Sequence, residues 1–61
     1  MRLKEARIKA GLSVSDVAKS LSISDVAVYM WENGQTTPKV ANLKKLANLY
    51  GCSVDELIDD E

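Results

Sequence analysis

Apolar residues recur at intervals of three and four along the chain, and the glycine, proline and serine residues between them mark where helices end and begin. In the first segment, over about residues 2–10, Leu3, Ala6 and Ala10 fall at helical spacing, and Gly11 then suits the left-handed backbone that ends a helix. No segment alternates apolar and polar residues over the length of a strand. The pattern predicts a compact all-α domain with helices over about 2–10, 14–21, 25–32, 38–50 and 54–59.

Residues that can cap the free N–H groups of a helix stand before the later segments. Ser13 with Asp16 resembles a capping box, Ser24 is a single N-cap, and Ser53 with Glu56 makes a full box. These pairs predict where the second, third and fifth helices begin.

The fourth helix has a different start signal. Thr37 is its predicted N-cap, and Pro38 is its predicted first residue, where a missing N–H costs nothing. Gly51 ends it. Its predicted buried stripe comprises Val40, Leu43, Leu46, Ala47 and Tyr50.

One short phrase occurs twice, as LSVSDVA over residues 12–18 and as LSISDVA over 21–27. The helical phases of the copies differ, because the capping serine is the second residue of the first copy and the fourth residue of the second. Val17 is therefore predicted to point into the core, and Val26 is predicted to face outward. The repeat is not a duplicated unit.

Composition excludes several kinds of chemistry. Sixty-one residues allow one small domain, and a single cysteine, Cys52, with no histidine leaves no internal disulfide, histidine base or Cys/His nucleophile pair. Cys52 is expected to be a small packing residue. No apolar run is long enough to span a membrane. We expect a cytoplasmic binding domain that is not an enzyme and holds no cofactor or metal.

Charge is unevenly distributed, although the net charge is −1. Residues 2–45 contain all eight basic side chains and four acidic ones, whereas residues 46–61 contain five acidic side chains and no basic one. This asymmetry fits a face that meets a polyanion, with an acidic tail kept away from it. The charge distribution taken alone is explained equally well if both ends of the chain are simply solvated. Asp59, Asp60 and Glu61 are expected to form a frayed, solvated terminus.

Four motifs in order give the chain a resemblance to a known family. They are GLSVSDVAKSLSIS, WENG, the proline that opens the fourth helix, and LANLYGCSVDELI. From Leu3 to Ile58 the chain resembles the Cro/repressor-type (XRE, lambda-repressor-like) helix-turn-helix regulators. The resemblance implies that helices two and three form the helix-turn-helix. It also implies a transcriptional regulator, of phage, prophage or bacterial repressor type, that places helix three in the DNA major groove.

The resemblance also implies a core and an ion pair. Arg7 and Glu32 match a pair that forms a partly buried salt bridge between helix one and the end of helix three. Trp31 is expected in the core rather than stacked on bases. The other implied core positions are Leu3, Leu12, Val17, Leu21, Val28, Leu43, Leu46 and Leu57.

Carried over position by position, the resemblance assigns a DNA-contacting surface. The base-contact positions are Val14, Asp25, Val26 and Met30, with Ala27 and Tyr29 beside them on the groove face. The phosphate-contact positions are Arg7, Ser13, Lys19, Asn33, Gln35 and Lys39.

The base-contact set departs from the family pattern, in which Gln, Arg, Ser, Thr or Asn usually read the bases. Two interpretations follow. In the preferred one, apolar side chains contact thymine methyl groups and Asp25 accepts a hydrogen bond from a cytosine amino group. In the alternative, a helix-turn-helix scaffold binds a protein partner through an exposed apolar face of Val14, Val26, Tyr29 and Met30. Ser22 also replaces the glycine usual in the turn, which costs roughly 1 kcal/mol if φ is positive.

Partners follow from the same resemblance. Double-stranded DNA is the expected ligand, in the form of an inverted-repeat operator bound by two copies. The chain has no added dimerisation domain, so we expect a monomer or a weak homodimer. Ile8, Leu49, Leu57 and Ile58 are the apolar candidates for self-association outside the groove face.

Overall fold

The computed structural model of the chain describes residues 1–58. They form α1 (Leu3–Lys9), α2 (Val14–Leu21), α3 (Asp25–Glu32), α4 (Val40–Tyr50) and α5 (Val54–Ile58), and no strand occurs among them. The predicted all-α class and order of helices are confirmed. Helix α1 is one residue shorter at each end than predicted. Residue 59, the predicted end of the last helix, and the predicted frayed tail lie outside the described residues.

The predicted serine caps are formed. The Oγ of Ser13 accepts the Asp16 N–H at 3.0 Å, and the Asp16 carboxylate accepts the Ser13 N–H at 3.0 Å. Ser53 and Glu56 make the same reciprocal pair, with N···O distances of 2.8 and 3.1 Å. The Oγ of Ser24 accepts the N–H three residues later at 3.2 Å. Each cap satisfies donors that have no acceptor inside their helix, which fixes where the helix begins.

The predicted start of α4 is wrong by two residues. Lys39, not Thr37, precedes the first helical residue, and its backbone is extended (φ −68°, ψ 161°) with no side-chain cap. Pro38 is buried, whereas Val40, which the predicted stripe placed in the core, is 66% exposed. A proline φ near −65° suits extended backbone as well as a helix start, so the burial of Pro38 decides between the two.

The hydrophobic core is built around α2, which contributes four buried residues. Helices α3 and α4 pack against α2. Leu12, Trp31 and Tyr50 are partly buried at the edge of the core. These three were predicted as core residues and are only partly buried, Val40 was predicted as one and is exposed, and Val14 is buried without having been predicted there. The buried apolar residues are Leu3, Val14, Val17, Ala18, Leu21, Val28, Leu43, Leu46, Ala47 and Leu57.

The turn between α2 and α3 forces one residue into a left-handed conformation. Ser22 has φ 57° and ψ 46°, and it is the only residue other than glycine with positive φ in the described part of the chain. Its N–H donates to the Lys19 carbonyl at 3.3 Å, and the Ile23 N–H donates to the Ala18 carbonyl at 2.9 Å. These bonds close α2 and require the positive φ, so the predicted strain at Ser22 is present.

We expect Ser22→Gly to raise the free energy of unfolding by about 1 kcal/mol, because glycine adopts this backbone without a Cβ clash. Urea unfolding followed by circular dichroism measures the change. Ser20→Gly, at an exposed helical position in α2, is the matched control. It should instead lower stability by roughly 0.5–1 kcal/mol. A Ser22→Gly variant that unfolds at lower urea than the parent would contradict this account.

Candidate nucleic-acid interface

The outward face of α3 carries three exposed side chains. Asp25 is the first residue of the helix and is exposed, Val26 is 62% exposed, and Tyr29 is 53% exposed. Ala27 and Met30 are only partly exposed. Val28, on the opposite side, is 1% exposed and packs into the core. Of the predicted α3 positions, the structure therefore leaves Asp25, Val26 and Tyr29 exposed and Ala27 and Met30 partly covered.

Val14 does not belong to that face. Its side chain is 7% exposed and forms part of the core, because the first turn of α2 points this position inward. The prediction that Val14 belongs to an exposed apolar face is therefore wrong. Since Met30 is half-buried, the exposed apolar face of the protein-binding alternative shrinks to Val26 and Tyr29.

A concave surface, which encloses a volume of about 500 Å³, lies between helix α3 and the first residues of α2. It contains Lys4 and Ser15, which sequence reasoning did not assign to a site. Lys4 stands one helical turn before Arg7 on α1, and this spacing of three was the available signal. Only the packing of α1 against α3 shows that Lys4 reaches the same surface. The surface is lined by Lys4, Arg7, Ser13, Val14, Ser15, Asp25, Tyr29, Glu32 and Asn33.

The predicted phosphate contacts divide into two groups. Arg7, Ser13 and Asn33 line the concave surface. Lys19, Gln35 and Lys39 are exposed but do not line it. A strand of phosphates that followed both groups would have to leave the concavity.

The start of α2 presents both donors and a negative charge. The N–H groups of Val14 and Ser15 open the helix and have no acceptor within it, and the Ser13 Oγ caps the helix. The Asp16 carboxylate lies beside them. Its pKa is lowered by the hydrogen bond from the Ser13 N–H and then by the Ser13 hydroxyl, so it stays ionised at neutral pH. An approaching phosphate would meet donors with an acid at their edge.

The predicted ion pair between Arg7 and Glu32 is formed and is bidentate. Arg7 Nε donates to Glu32 Oε2 at 2.7 Å, and Arg7 Nη2 donates to Oε1 at 3.2 Å. Arg7 Nη1 also donates to the Leu12 carbonyl at 3.0 Å. The two side chains are 12% and 5% exposed. One guanidinium thus joins α1, the α1–α2 turn and the end of α3.

This geometry changes the role expected for Arg7. All three of its nitrogens donate to protein acceptors, so the guanidinium supports the fold, and two of its five N–H groups are left for any contact with a phosphate. The hydrogen bond to Glu32 raises the pKa of Arg7 further above its usual range, against the effect of burial. Its positive charge is permanent and is balanced within the fold.

Tyr50 lies near this pair at the end of α4. Burial and, to a smaller extent, the charge of Glu32 together raise the pKa of Tyr50 to about 12, although Arg7 opposes both effects. The phenol is therefore neutral wherever the domain is folded at ordinary pH.

The remaining chemistry is sparse. Burial raises the pKa of the Cys52 thiol, which is half-buried beside α1. Within residues 1–58 no group of acidic or cysteine side chains is arranged to hold a metal ion. None of the helices described here is long and apolar enough to cross a membrane.

Comparison with known proteins places the chain in a family. The family described as helix-turn-helix matches residues 3–57, which is nearly the whole chain. The chain belongs to this helix-turn-helix family, of the Cro/repressor (XRE) type, as its motifs indicated. The predicted family is confirmed.

Three relatives illustrate the range of similar proteins. The HTH-type transcriptional regulator ImmR of Bacillus subtilis (strain 168) is 40% identical over 93% of this chain and 45% of its own length. The HTH-type transcriptional regulator DdrOP3 of Deinococcus deserti is 36% identical over 95% of the chain and 45% of its own length. The cryptic phage CTXphi transcriptional repressor RstR of Vibrio cholerae is 27% identical over 97% of this chain and 53% of its own length.

The chain spans about half the length of these curated relatives. No solved structure matches the chain.

We expect Glu32→Gln to lower the free energy of unfolding by about 3 kcal/mol, because it leaves the Arg7 charge buried without its partner. Replacing both residues, as Arg7→Met with Glu32→Met, should recover most of that loss, since no charge is then buried. Urea unfolding measures all the variants. Glu5→Gln, at an exposed acid on α1, is the control and should change stability by less than about 0.5 kcal/mol. Equal losses for Glu32→Gln and Glu5→Gln would show that the pair is only a surface contact.

From the raised pKa of Tyr50 we expect the free energy of unfolding to fall at alkaline pH. Its folded pKa of about 12 lies above the ordinary value of about 10. Between these values the unfolded chain gives up the phenol proton and the folded chain keeps it, so stability falls as pH rises. Allowing for partial exposure, Tyr50→Phe should reduce this loss by about 1 kcal/mol. Denaturant unfolding at a series of alkaline pH values measures it.

Tyr29→Phe is the control for this measurement, because Tyr29 is exposed. The two variants differ only in which phenol is removed, so the comparison isolates the phenol of Tyr50. A Tyr50→Phe profile that follows the Tyr29→Phe profile would rule out the proposed linkage.

Proposed function

We propose that this chain is the DNA-binding domain of a transcriptional regulator, of bacterial or phage repressor type, that places α3 in the major groove of its operator. The observation that carries the proposal is the exposed start of α3 beside a concave surface lined by Lys4, Ser13 and Ser15. Family membership supports it, and so do the names of the relatives, which are transcriptional regulators and include a phage repressor. The function is binding, with no catalytic step.

The dimensions of α3 suit this role. Asp25 and Tyr29 are four residues apart, which is about 6 Å along the helix axis. This is close to the rise of two base pairs, at about 3.4 Å each. The exposed turn can therefore meet two or three base pairs while Val28 and the rest of its inner face stay in the core.

Phosphates would supply most of the affinity. Lys4 and the first N–H groups of α2 offer donors on one side of α3, and exposed Lys19 and Lys39 offer further charge. Asn33 and Gln35 add short polar side chains near the end of α3. Arg7 is left out of this set because its guanidinium is engaged with Glu32 and Leu12.

An inverted-repeat operator would be bound by two copies, with half-sites one helical turn apart. We propose that the domain is a monomer or a weak dimer away from DNA and that it acts in the cytoplasm. A single tight-dimer peak in light scattering at micromolar concentration would contradict the first part.

The proposal predicts non-specific binding to random duplex DNA, with a Kd in the range of about 10⁻⁴ to 10⁻⁶ M at physiological salt. If three lysines contact phosphates, log K should fall with log salt concentration with a slope of about −3. Fluorescence anisotropy with a labelled duplex, titrated from about 50 to about 200 mM salt, measures both. Absence of binding below about 100 μM protein at low salt would remove the electrostatic basis of the proposal.

Single substitutions test which lysines contribute. Lys4→Gln, Lys19→Gln and Lys39→Gln should each reduce the magnitude of the slope by about 0.9. Lys45→Gln is the control, because Lys45 is an exposed lysine on α4 that is not assigned to DNA. An equal effect for Lys45→Gln would show that only net charge matters.

A further inference from the structure

The exposed start of α3 offers a narrow set of chemical groups to a DNA base. Asp25 contributes a carboxylate, Val26 contributes two methyl groups, and α3 contains no basic residue. Arginine and lysine are the usual readers of guanine, through its O6 and N7 acceptors. This helix cannot read guanine in that way.

Asp25 is available to accept a hydrogen bond. Its side chain is exposed at the first helical position, and no hydrogen bond or ion pair within residues 1–58 engages its carboxylate. An ionised carboxylate only accepts, so in the major groove it can pair with the amino groups of cytosine and adenine. It would face lone pairs on guanine and on the thymine O4, where it is repelled.

Val26 is available for an apolar contact. It is 62% exposed, although valine is a residue that usually lies inside, and it follows Asp25 directly on the helix. Neighbouring helical side chains project about 100° apart, so Asp25 and Val26 reach different bases. The thymine 5-methyl group is the apolar group that the major groove presents.

We propose that Asp25 and Val26 are the specificity-determining pair of this domain, selecting a thymine beside a base that bears an amino group. Val26 contacts the thymine methyl, and Asp25 accepts from cytosine or adenine and disfavours guanine. The inference rests on the proposed function, since it assigns the bases that α3 reads. In this proposal the two residues determine which bases are preferred, and the lysines supply most of the affinity.

The two residues should affect binding in different ways. The Asp25 carboxylate repels every phosphate near α3, so it lowers affinity for all sequences while it discriminates between bases. An amide at this position would end the repulsion and could also donate to guanine acceptors. Asp25→Asn should therefore bind random duplex more tightly and discriminate less. A residue with a merely structural role would not raise affinity and lower selectivity together.

The test begins with selection of the preferred half-site from a duplex library with a randomised centre, using the unaltered chain. The selected duplex is then made with deoxyuridine in place of each thymine in turn, which removes only the 5-methyl group. At one position the substitution should weaken binding about fourfold, the worth of one buried methyl group. Val26→Ala should weaken binding to the thymine duplex by a similar factor and abolish the difference between the two duplexes.

Val40→Ala is the matched control for Val26→Ala. Val40 is an equally exposed valine, at 66%, but it lies on α4 outside the proposed base-reading face. This variant should keep the full difference between thymine and deoxyuridine. Circular dichroism and urea unfolding are used to check that both variants fold.

The Asp25 part of the test replaces the cytosine or adenine beside that thymine with guanine in the selected duplex. For the unaltered chain this should cost about tenfold in affinity, as a mismatched base pair commonly does. Asp25→Asn should bring the cost down to a few-fold while binding random duplex more tightly.

The outcomes separate the two proposals. If duplex DNA binds but selection yields no preferred half-site, or if no deoxyuridine substitution matters, the specificity pair is overturned and the DNA-binding function stands. The pair is also overturned if Val26→Ala keeps the thymine preference or Asp25→Asn keeps full discrimination against guanine. If no duplex binds even at low salt, the proposed function fails and the inference fails with it.

Discussion

The bidentate pair between Arg7 and Glu32 holds together the parts of this fold that are remote in sequence. Its two N–H···O bonds connect α1 to the last residue of α3, and the third bond, to the Leu12 carbonyl, secures the turn that leads into α2. Both side chains are nearly buried. A charged pair in that position stabilises only while it is intact, because either partner alone would be a buried, uncompensated ion. The orientation of α3, and with it the concave surface beside α2, depends on this junction.

Helix α3 has eight residues, of which some pack into the core and others form the exposed face. Val28 is 1% exposed and Val26 is 62% exposed, although the two are the same residue type and two positions apart. Such a short helix has little stability of its own and depends on tertiary packing. The support of its inner face by α2, and of its end by Arg7, leaves the outer face free to carry side chains chosen for contact rather than for packing. We propose that this freedom is used for base recognition.

Local features were predictable from sequence because they are decided within a few residues. The serine caps at 13, 24 and 53, and the strain at Ser22, involve hydrogen bonds over three to five positions, and all are present. The failures were at helix ends, where two conformations are locally allowed. Pro38 could open a helix or continue an extended segment, and only its burial excluded the first possibility and left Val40 in solvent.

By itself, the sequence determined the all-α class, the order of five helices, the serine caps of three of them and the family, and the family resemblance implied the Arg7–Glu32 pairing. Periodicity, capping and motif spacing are local properties of the sequence. The outward position of Val26 in the second LSxSDVA phrase followed from the N-cap at Ser24. The tertiary structure alone decided that Val14 is buried at the start of α2 and that Lys4 of α1 joins the concave surface near Asp25. The physical reason is that exposure depends on which helices cover a position. That covering is set by packing between segments far apart in the chain, which no local pattern specifies.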